Sequence, residues 1–139
     1  MSELQDTLDA VPFARALGIE LTAAAADEVR GRLAWAPDRC TAGGVLHGGA
    51  LMSFADTLGA VCAFLNLPAG ASTGTIESKT NFLRPVREGE VEGVARPVHV
   101  GRTTIVVQTE ARDPTGTLVS LTTQTQAVLP AARGPGASR

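Results

Sequence analysis

The chain has little of what a nucleic-acid-binding surface needs. It contains no tyrosine, one tryptophan and four phenylalanines in 139 residues, so it lacks the aromatic platforms on which single-stranded bases stack. Its formal net charge is −2 and its isoelectric point is near 5.6, whereas nucleic-acid-binding domains are usually basic. We therefore expect no nucleic-acid partner.

Cysteines and histidines are also scarce, which limits disulfides and metal sites. Cys40 and Cys62 are the only cysteines. They allow one disulfide, but Cys62 lies in an apolar segment, and we interpret it as a buried small hydrophobic residue. No cysteine or histidine cluster has the spacing of metal ligands. The sequence therefore predicts no metal site and a reducing, cytoplasmic compartment.

A long uninterrupted apolar run is missing as well. The longest apolar stretch, residues 50–65, contains Asp56 and Gly59, which argues against a membrane span, and the polar, acidic N-terminus does not fit a signal peptide. A hydrophobic content of 44% is still ample for a packed core, and the length suits one domain. We predict one domain over residues 1–130 and a disordered tail over residues 131–139.

Hydrophobic periodicity predicts a short helix, two strands, one long helix and four further strands. The predicted segments are a helix over 11–18, strands over 19–24 and 28–36, a helix over 50–66, and strands over 73–83, 89–100, 103–113 and 118–129. Tight turns are predicted at 100–102 and 112–116. The long helix is apolar all round, so we expect protein on every side of it. This order predicts an α+β fold in which an antiparallel sheet wraps around one long central helix.

The start of the long helix and one carboxylate within it are the candidate functional features. Gly48 and Gly49 follow His47 at the helix N-terminus, where unpaired N–H groups and the helix dipole favour an anion or a developing oxyanion. Asp56 lies in an apolar run, where a carboxylate loses hydration and is costly unless it is paired or used. The structural alternatives are that His47 caps the helix and that Asp56 is an ordered or solvated carboxylate.

Helix geometry separates these two features. Asp56 is eight residues after Gly48, which is ~12 Å along a helix and ~80° around it. One helix therefore cannot present both groups to a reacting atom ~3 Å from each. Two antiparallel copies of the helix can, so a catalytic interpretation predicts a homodimer with two shared sites.

Several short motifs occur in a recognisable order. They are Leu46-His47-Gly48-Gly49-Ala50, Asp56 nine residues after the histidine, Asn81-Phe82-Leu83-Arg84-Pro85, Glu88-Gly89 and Gly101-Arg102-Thr103. Together they resemble the hot-dog fold acyl-CoA thioesterases, in particular the phenylacetic-acid-pathway and 4-hydroxybenzoyl-CoA thioesterase type, over residues 13–129. The resemblance implies the hot-dog fold, hydrolysis of an aryl- or medium-chain acyl-CoA to the free acid and coenzyme A, no cofactor, and a homodimer that pairs into a homotetramer.

The resemblance also implies roles for four catalytic positions. Asp56 lies where the family has its catalytic acid, which acts as nucleophile or as general base. Gly48 lies where a backbone N–H polarises the thioester carbonyl, and His47 supports that turn. Thr75 aligns with a strand hydroxyl that positions the water, and Ala60 stands where some relatives carry a serine or threonine, which puts more weight on Thr75.

Substrate binding is implied at further positions. They are Gly49, Thr41, Phe82, Arg84, His99, Gly101, Arg102 and Thr103. The basic residues among them suit the negative charges of coenzyme A. Thr41 is a departure, because the family usually has an asparagine or glutamine there. Phe54, Leu58 and Phe82 are expected to set the size of the acyl pocket.

Two other functions stay open at this point. A hot-dog dehydratase would use His47 as general base on a β-hydroxyacyl thioester. A non-catalytic acyl-CoA-binding or sensing domain would keep the dimer and the groove but would not need a buried acid such as Asp56. Thiol release from a panel of acyl-CoAs separates these functions, and the sequence does not specify the acyl group.

Overall fold

Three α-helices and six strands are formed by residues 3–131, the part of the chain that the computed structural model describes. They are α1 (Glu3–Asp9), α2 (Pro12–Leu17), β1 (Glu20–Ala25), β2 (Glu28–Ala34), α3 (Gly48–Phe64), β3 (Ser72–Phe82), β4 (Glu90–Val100), β5 (Thr104–Arg112) and β6 (Leu118–Leu129). The tail predicted for residues 131–139 lies outside the described residues from residue 132 onward.

All six strands form one antiparallel sheet in the order β1-β2-β4-β5-β6-β3. The helix α3 contacts every strand of this sheet, as the predicted sheet around one long helix requires. The turns predicted between β4 and β5 and between β5 and β6 are present. The Gly101 N–H donates to the Thr104 carbonyl oxygen over 2.8 Å, and the Gly116 N–H donates to the Asp113 carbonyl oxygen over 2.9 Å.

Glycines in the sheet let α3 approach it closely. Phe54 and Leu58 of α3 are fully buried. A Cβ atom at Gly93 would lie 2.6 Å from Leu58 Cδ1 and 2.7 Å from Phe54 Cε2, and one at Gly31 would lie 2.7 Å from Leu58 Cδ2. The prediction that Phe54 and Leu58 line the acyl pocket is therefore wrong, because both side chains fill the interface between helix and sheet.

The helices α1 and α3 differ from the predictions. The sequence pattern did not indicate α1, whose Leu8 is fully buried. The helix α3 begins at Gly48 rather than at residue 50, because His47 caps it: the Gly49 N–H donates to His47 Nδ1 over 2.7 Å. The structural alternative for His47 is thus confirmed.

One face of α3 and one edge of the sheet are not covered by the described chain. Met52 and Phe64 of α3 are 38% and 60% exposed, so the prediction that protein surrounds α3 on every side is wrong for the single chain. The strand β3 is an edge strand, and its Ile76 is 59% exposed. Neither is covered by residues 3–131.

The remaining sequence predictions concern cysteines, membrane spans and metals. Both cysteines are free, and burial raises the pKa of the Cys62 thiol to about 11, which confirms its interpretation as a buried hydrophobic residue. Within residues 3–131, no helix is long and apolar enough to cross a membrane. The same residues contain no group of three histidine, cysteine, aspartate or glutamate side chains that could hold a metal ion.

Candidate active site

Asp56 lies in the wall of an apolar cavity of about 510 Å³. The cavity lies between the C-terminal half of α3, the helix α1 and the strand β1. Its lining residues are Leu4, Thr7, Leu8, Val11, Leu21, Ala24, Asp56, Thr57, Ala60, Val61, Phe64, Leu65 and Thr73. Asp56 is the one charged side chain among them, so a ligand in this cavity meets an apolar wall and a single carboxylate.

The surroundings of Asp56 favour its protonated form. Partial burial raises the pKa of the Asp56 carboxyl, and hydrogen bonding by the Thr75 hydroxyl lowers it by less. No charged side chain of the described residues contributes to this shift. A raised pKa makes the carboxylate a better proton acceptor than a solvated one, which suits a general base or a nucleophile.

The N-terminus of α3 leaves one N–H group free. The Gly49 N–H is used by the His47 side chain, and the N–H groups of Ala50 and Leu51 donate to the His47 carbonyl oxygen. The Gly48 N–H has no acceptor within residues 3–131. It is therefore available to a ligand at the positive end of the helix dipole.

A second cavity, of about 340 Å³, opens beside Gly48. Thr41, Phe82 and Arg84 line it with Gly48, so the structure brings four predicted site residues together here. A Cβ atom at position 48 would lie 3.2 Å from the Phe82 ring, and glycine therefore keeps the approach to the Gly48 N–H open. His47 and Gly49 instead line a smaller cavity beside α2.

The turn Gly101-Arg102-Thr103 adjoins strands that reach the wall of the Asp56 cavity. The Val128 N–H donates to the Thr103 carbonyl oxygen over 2.9 Å, and Val128 pairs with Thr73 of the Asp56 cavity. His99 packs against this turn, with Nε2 2.5 Å from the Cβ position of Gly101. Arg102 is exposed and makes no ion pair with another described residue.

Within one chain, Asp56 and Gly48 line separate cavities that share no lining residue. This agrees with the separation expected from helix geometry. We refer to the cavity of Asp56, with Thr75, as the Asp56 half-site.

Sequence reasoning missed two contributions to the Asp56 half-site. The first is α1, which supplies Leu4 and Leu8 to the cavity wall. The second is Gln126, which is 1% exposed and donates from Nε2 to Thr75 Oγ1 over 2.7 Å. The sequence signal for Gln126 was its place among the alternating polar residues of β6. Because both faces of that strand carry polar side chains, this pattern does not show which face is buried.

Comparisons with known proteins agree with this architecture. A model of the thioesterase superfamily matches residues 43–120. A relative from Vibrio cholerae is 41% identical over 85 residues, which are 61% of this chain and 57% of that relative. The 1,4-dihydroxy-2-naphthoyl-CoA hydrolase of Escherichia coli is 36% identical over 86 residues, which are 62% of this chain and 63% of the hydrolase.

Solved structures agree as well. The crystal structure of a thioesterase from Haemophilus influenzae has a TM-score of 0.89 at 27% sequence identity, covering 97% of this chain and 96% of that chain. This similarity confirms the predicted hot-dog fold. The matches to the two sequence relatives span less than two thirds of their length.

Proposed function

Because the chain belongs to the thioesterase superfamily, we propose that it hydrolyses an acyl-CoA thioester and that Asp56 is the carboxylate that drives the reaction. The observation that carries the proposal is the position of Asp56 as the one charged group in the wall of an apolar cavity. The name of the Escherichia coli relative, a naphthoyl-CoA hydrolase, supports a coenzyme A thioester as the substrate class.

The cavity beside Asp56 is the proposed acyl pocket. Its volume of about 510 Å³ and its apolar wall suit an aryl- or medium-chain acyl group. The coenzyme A part would lie outside it, where Arg102 at the neighbouring turn offers an exposed, unpaired guanidinium to phosphate groups. His99, Gly101 and Thr103 belong to the same turn region and are proposed to contact the nucleotide.

The proposed active unit is a homodimer, because Gly48 and Asp56 of one chain do not reach a common substrate. The uncovered edge of β3 offers free backbone groups for pairing with a second copy, and the uncovered face of α3 lies beside it. The pairing of two dimers into a homotetramer and the cytoplasmic location stay predictions.

The proposed reaction uses one group from each protomer. The Gly48 N–H of one protomer donates to the thioester carbonyl oxygen and stabilises the oxyanion. Asp56 of the other protomer either attacks the carbonyl carbon or takes a proton from a water that attacks it. If Asp56 attacks, the carbon–sulfur bond breaks to leave a mixed anhydride of Asp56 and the acyl group, and water then hydrolyses this anhydride to the free acid. If water attacks, the carbon–sulfur bond breaks and the free acid forms directly. In both cases the coenzyme A thiolate leaves and takes up a proton that the water loses. No cofactor takes part in this proposal.

The test of the carboxylate is Asp56→Asn assayed on a panel of acyl-CoAs by release of free thiol. We expect turnover to fall by about 100- to 10,000-fold, the usual contribution of such a group. The matched control is Asp6→Asn, because Asp6 is exposed on α1 and lines neither cavity. Near-normal turnover by Asp56→Asn would exclude the assigned role, and binding without thiol release by the unaltered protein would favour a sensing domain.

The test of the oxyanion donor is Gly48→Pro, which deletes the one N–H of interest. Proline is tolerated at the first helical position, and His47 already has the extended conformation (φ −62°, ψ 135°) that precedes proline. Gly48→Ala is the control, because it crowds Phe82 in the same way but keeps the N–H. We expect kcat of the proline variant to be about 100- to 1000-fold below that of the alanine variant. Equal rates for the two variants would show that the N–H is not used.

Mixing the two inactive variants tests the shared site. A dimer of one Asp56→Asn chain and one Gly48→Pro chain has one intact site and one doubly altered site. If the chains exchange at random, about one quarter of the unaltered activity should return. Activity that stays at the level of the separate variants after exchange would place both groups in one chain's site.

A further inference from the structure

Gln126 of β6 is a buried amide that connects two threonines of the neighbouring strand. It lies directly opposite Thr75 in the register of β3 and β6. Its Nε2 donates to Thr75 Oγ1 over 2.7 Å. Its Oε1 lies 3.1 Å from Thr73 Oγ1, which also donates to the Ala127 carbonyl oxygen over 2.8 Å. The amide is therefore held at both ends.

This arrangement determines what the Thr75 hydroxyl can do. A hydroxyl has one proton to donate and can also accept. Since Thr75 Oγ1 accepts from Gln126, its own proton remains available to another acceptor. The Thr75 hydroxyl lowers the pKa of the Asp56 carboxyl, which makes Asp56 the candidate acceptor. A proton donated onward by Thr75 would therefore continue the direction set by Gln126, away from the amide and towards the Asp56 carboxylate.

We propose that Gln126 is a positioning residue for the proposed reaction: by donating to Thr75 it makes Thr75 a donor to the Asp56 carboxylate. One carboxylate oxygen is then held, and the other is left for the thioester carbon or for the attacking water. This inference rests on the proposed function, in which Asp56 is the reacting carboxylate.

Donation by Gln126 to Thr75, and by Thr75 to Asp56, also favours the ionised form of Asp56, whereas burial favours the protonated form. No nearby charged side chain favours the ionised form in the same way. The helix α1 carries Glu3, Asp6 and Asp9, and β3 carries Glu77 and Lys79, but none of them lines the Asp56 cavity or contributes to the shift of the Asp56 pKa. Burial raises the pKa of the Cys62 thiol on α3 to about 11, so this thiol is neutral at pH 7.

Gln126→Met tests the proposal with an internal control. Methionine keeps the length of the side chain but cannot donate to Thr75. The control is Gln124→Met, because Gln124 is a fully buried glutamine on the same face of β6 whose amide has no partner among the described residues. We expect Gln126→Met to lower kcat/KM roughly tenfold, which is the usual size of the effect of losing one hydrogen bond, and to move the acid limb of its pH profile upward. Gln124→Met should change neither by more than about twofold.

A double-mutant cycle shows whether Gln126 acts through Thr75. Gln126→Met should cause its full loss in the unaltered protein and almost no further loss in a Thr75→Val background. Equal losses in both backgrounds, or a Gln126→Met variant that matches Gln124→Met in rate and pH profile, would overturn the proposal. If Gln126→Met melts below the assay temperature, Thr73→Val removes the neighbour of Oε1 instead, and the same upward shift of the acid limb is expected.

A readout without substrate separates this inference from the proposed function. The carboxyl carbon of Asp56, identified by its loss in Asp56→Asn, can be titrated by nuclear magnetic resonance. Its pKa should rise in Gln126→Met and stay unchanged in Gln124→Met. Full activity of Asp56→Asn would refute the proposed function, whereas an unchanged Asp56 titration in Gln126→Met would refute only the role of Gln126.

Discussion

The two halves of the sheet beneath α3 are built from opposite kinds of residue. Under one half, the inward side chains of β2, β4 and β5 are mostly apolar and fully buried. They include Val29, Leu33, Val91, Ala95, Ile105 and Val107. Under the other half, the inward side chains of β6 are polar and equally buried. They are Ser120, Thr122, Gln124 and Gln126.

We interpret this difference as a division of roles: the apolar half of the sheet stabilises the fold, and the polar half serves the candidate site. Apolar burial contributes about 25 cal/mol per Å², whereas buried polar groups cost free energy unless they are hydrogen-bonded. In the polar half, Thr80 bonds to Thr122 over 2.8 Å and Gln126 bonds to Thr75 over 2.7 Å, but the Gln124 amide has no partner among the described residues. Such a costly interior is expected beside a functional site, and Gln126 of this half bonds to Thr75, whose hydroxyl lowers the pKa of Asp56.

The largest expected effect on stability comes from the apolar half. Leu58→Ala removes a fully buried side chain that fills the space over Gly31 and Gly93. We expect the free energy of unfolding to fall by about 3 kcal/mol, within the usual range for a buried leucine, measured by urea denaturation. Turnover of the folded fraction should stay within a few-fold of normal. A large loss of turnover in fully folded protein would show that the two halves are not separate.

The sequence predicted the apolar half better than the polar half. The alternation in β2 and β5 indicates which face is buried, because apolar and polar residues take opposite faces. In β6, Ser120, Thr122 and Gln124 alternate with further polar residues such as Thr123 and Thr125, so the pattern does not show which face is inside. The hydrogen bond of Gln126 to Thr75 depends on strand pairing, which periodicity does not specify.

The candidate site shows the same limit. Asp56 and Gly48 were identified because a carboxylate in an apolar helix and a glycine at a helix start are unusual locally. The contribution of α1 was missed because its seven residues have only Leu4 and Leu8 as apolar positions, and its position depends on packing against distant parts of the chain. The prediction that Leu58 lines the pocket was wrong because Leu58 lies on the face of α3 that packs against the sheet.

A smaller effect is expected from the contact between α3 and the polar half. A Cβ atom at Gly59 would overlap the Gln124 amide, which is fully buried. Overpacking usually costs 1–3 kcal/mol, and alanine returns ~1 kcal/mol of helix propensity. We therefore expect Gly59→Ala to lower the free energy of unfolding by about 1 kcal/mol.

The double variant Gly59→Ala/Gln124→Ala distinguishes overlap from other causes. It gives the new methyl group room, so its loss should be smaller than the sum of the two single losses. Additive losses would show that Gln124 already moves aside in the single variant, and the polar half would then be less tightly packed than the structure indicates.

The smallest expected effect is the stability cost of Asp56 itself. Burial raises the pKa of Asp56 in the folded protein, so the folded state binds this proton more tightly than the unfolded state does. By linkage, this contribution to stability falls as pH rises from the unfolded pKa, near 3.9, through the raised folded pKa, and the cost persists at neutral pH. Asparagine does not titrate. Asp56→Asn should therefore be more stable than the unaltered protein at pH 7, and its advantage should shrink as the pH is lowered below 4. Urea denaturation at both pH values measures the difference. An advantage independent of pH would show that the gain does not come from the ionisation of Asp56. A variant that is less stable at pH 7 would mean that hydrogen bonding to Asp56 outweighs its desolvation, and the polar half of the sheet would then stabilise the fold as well as serve the proposed reaction.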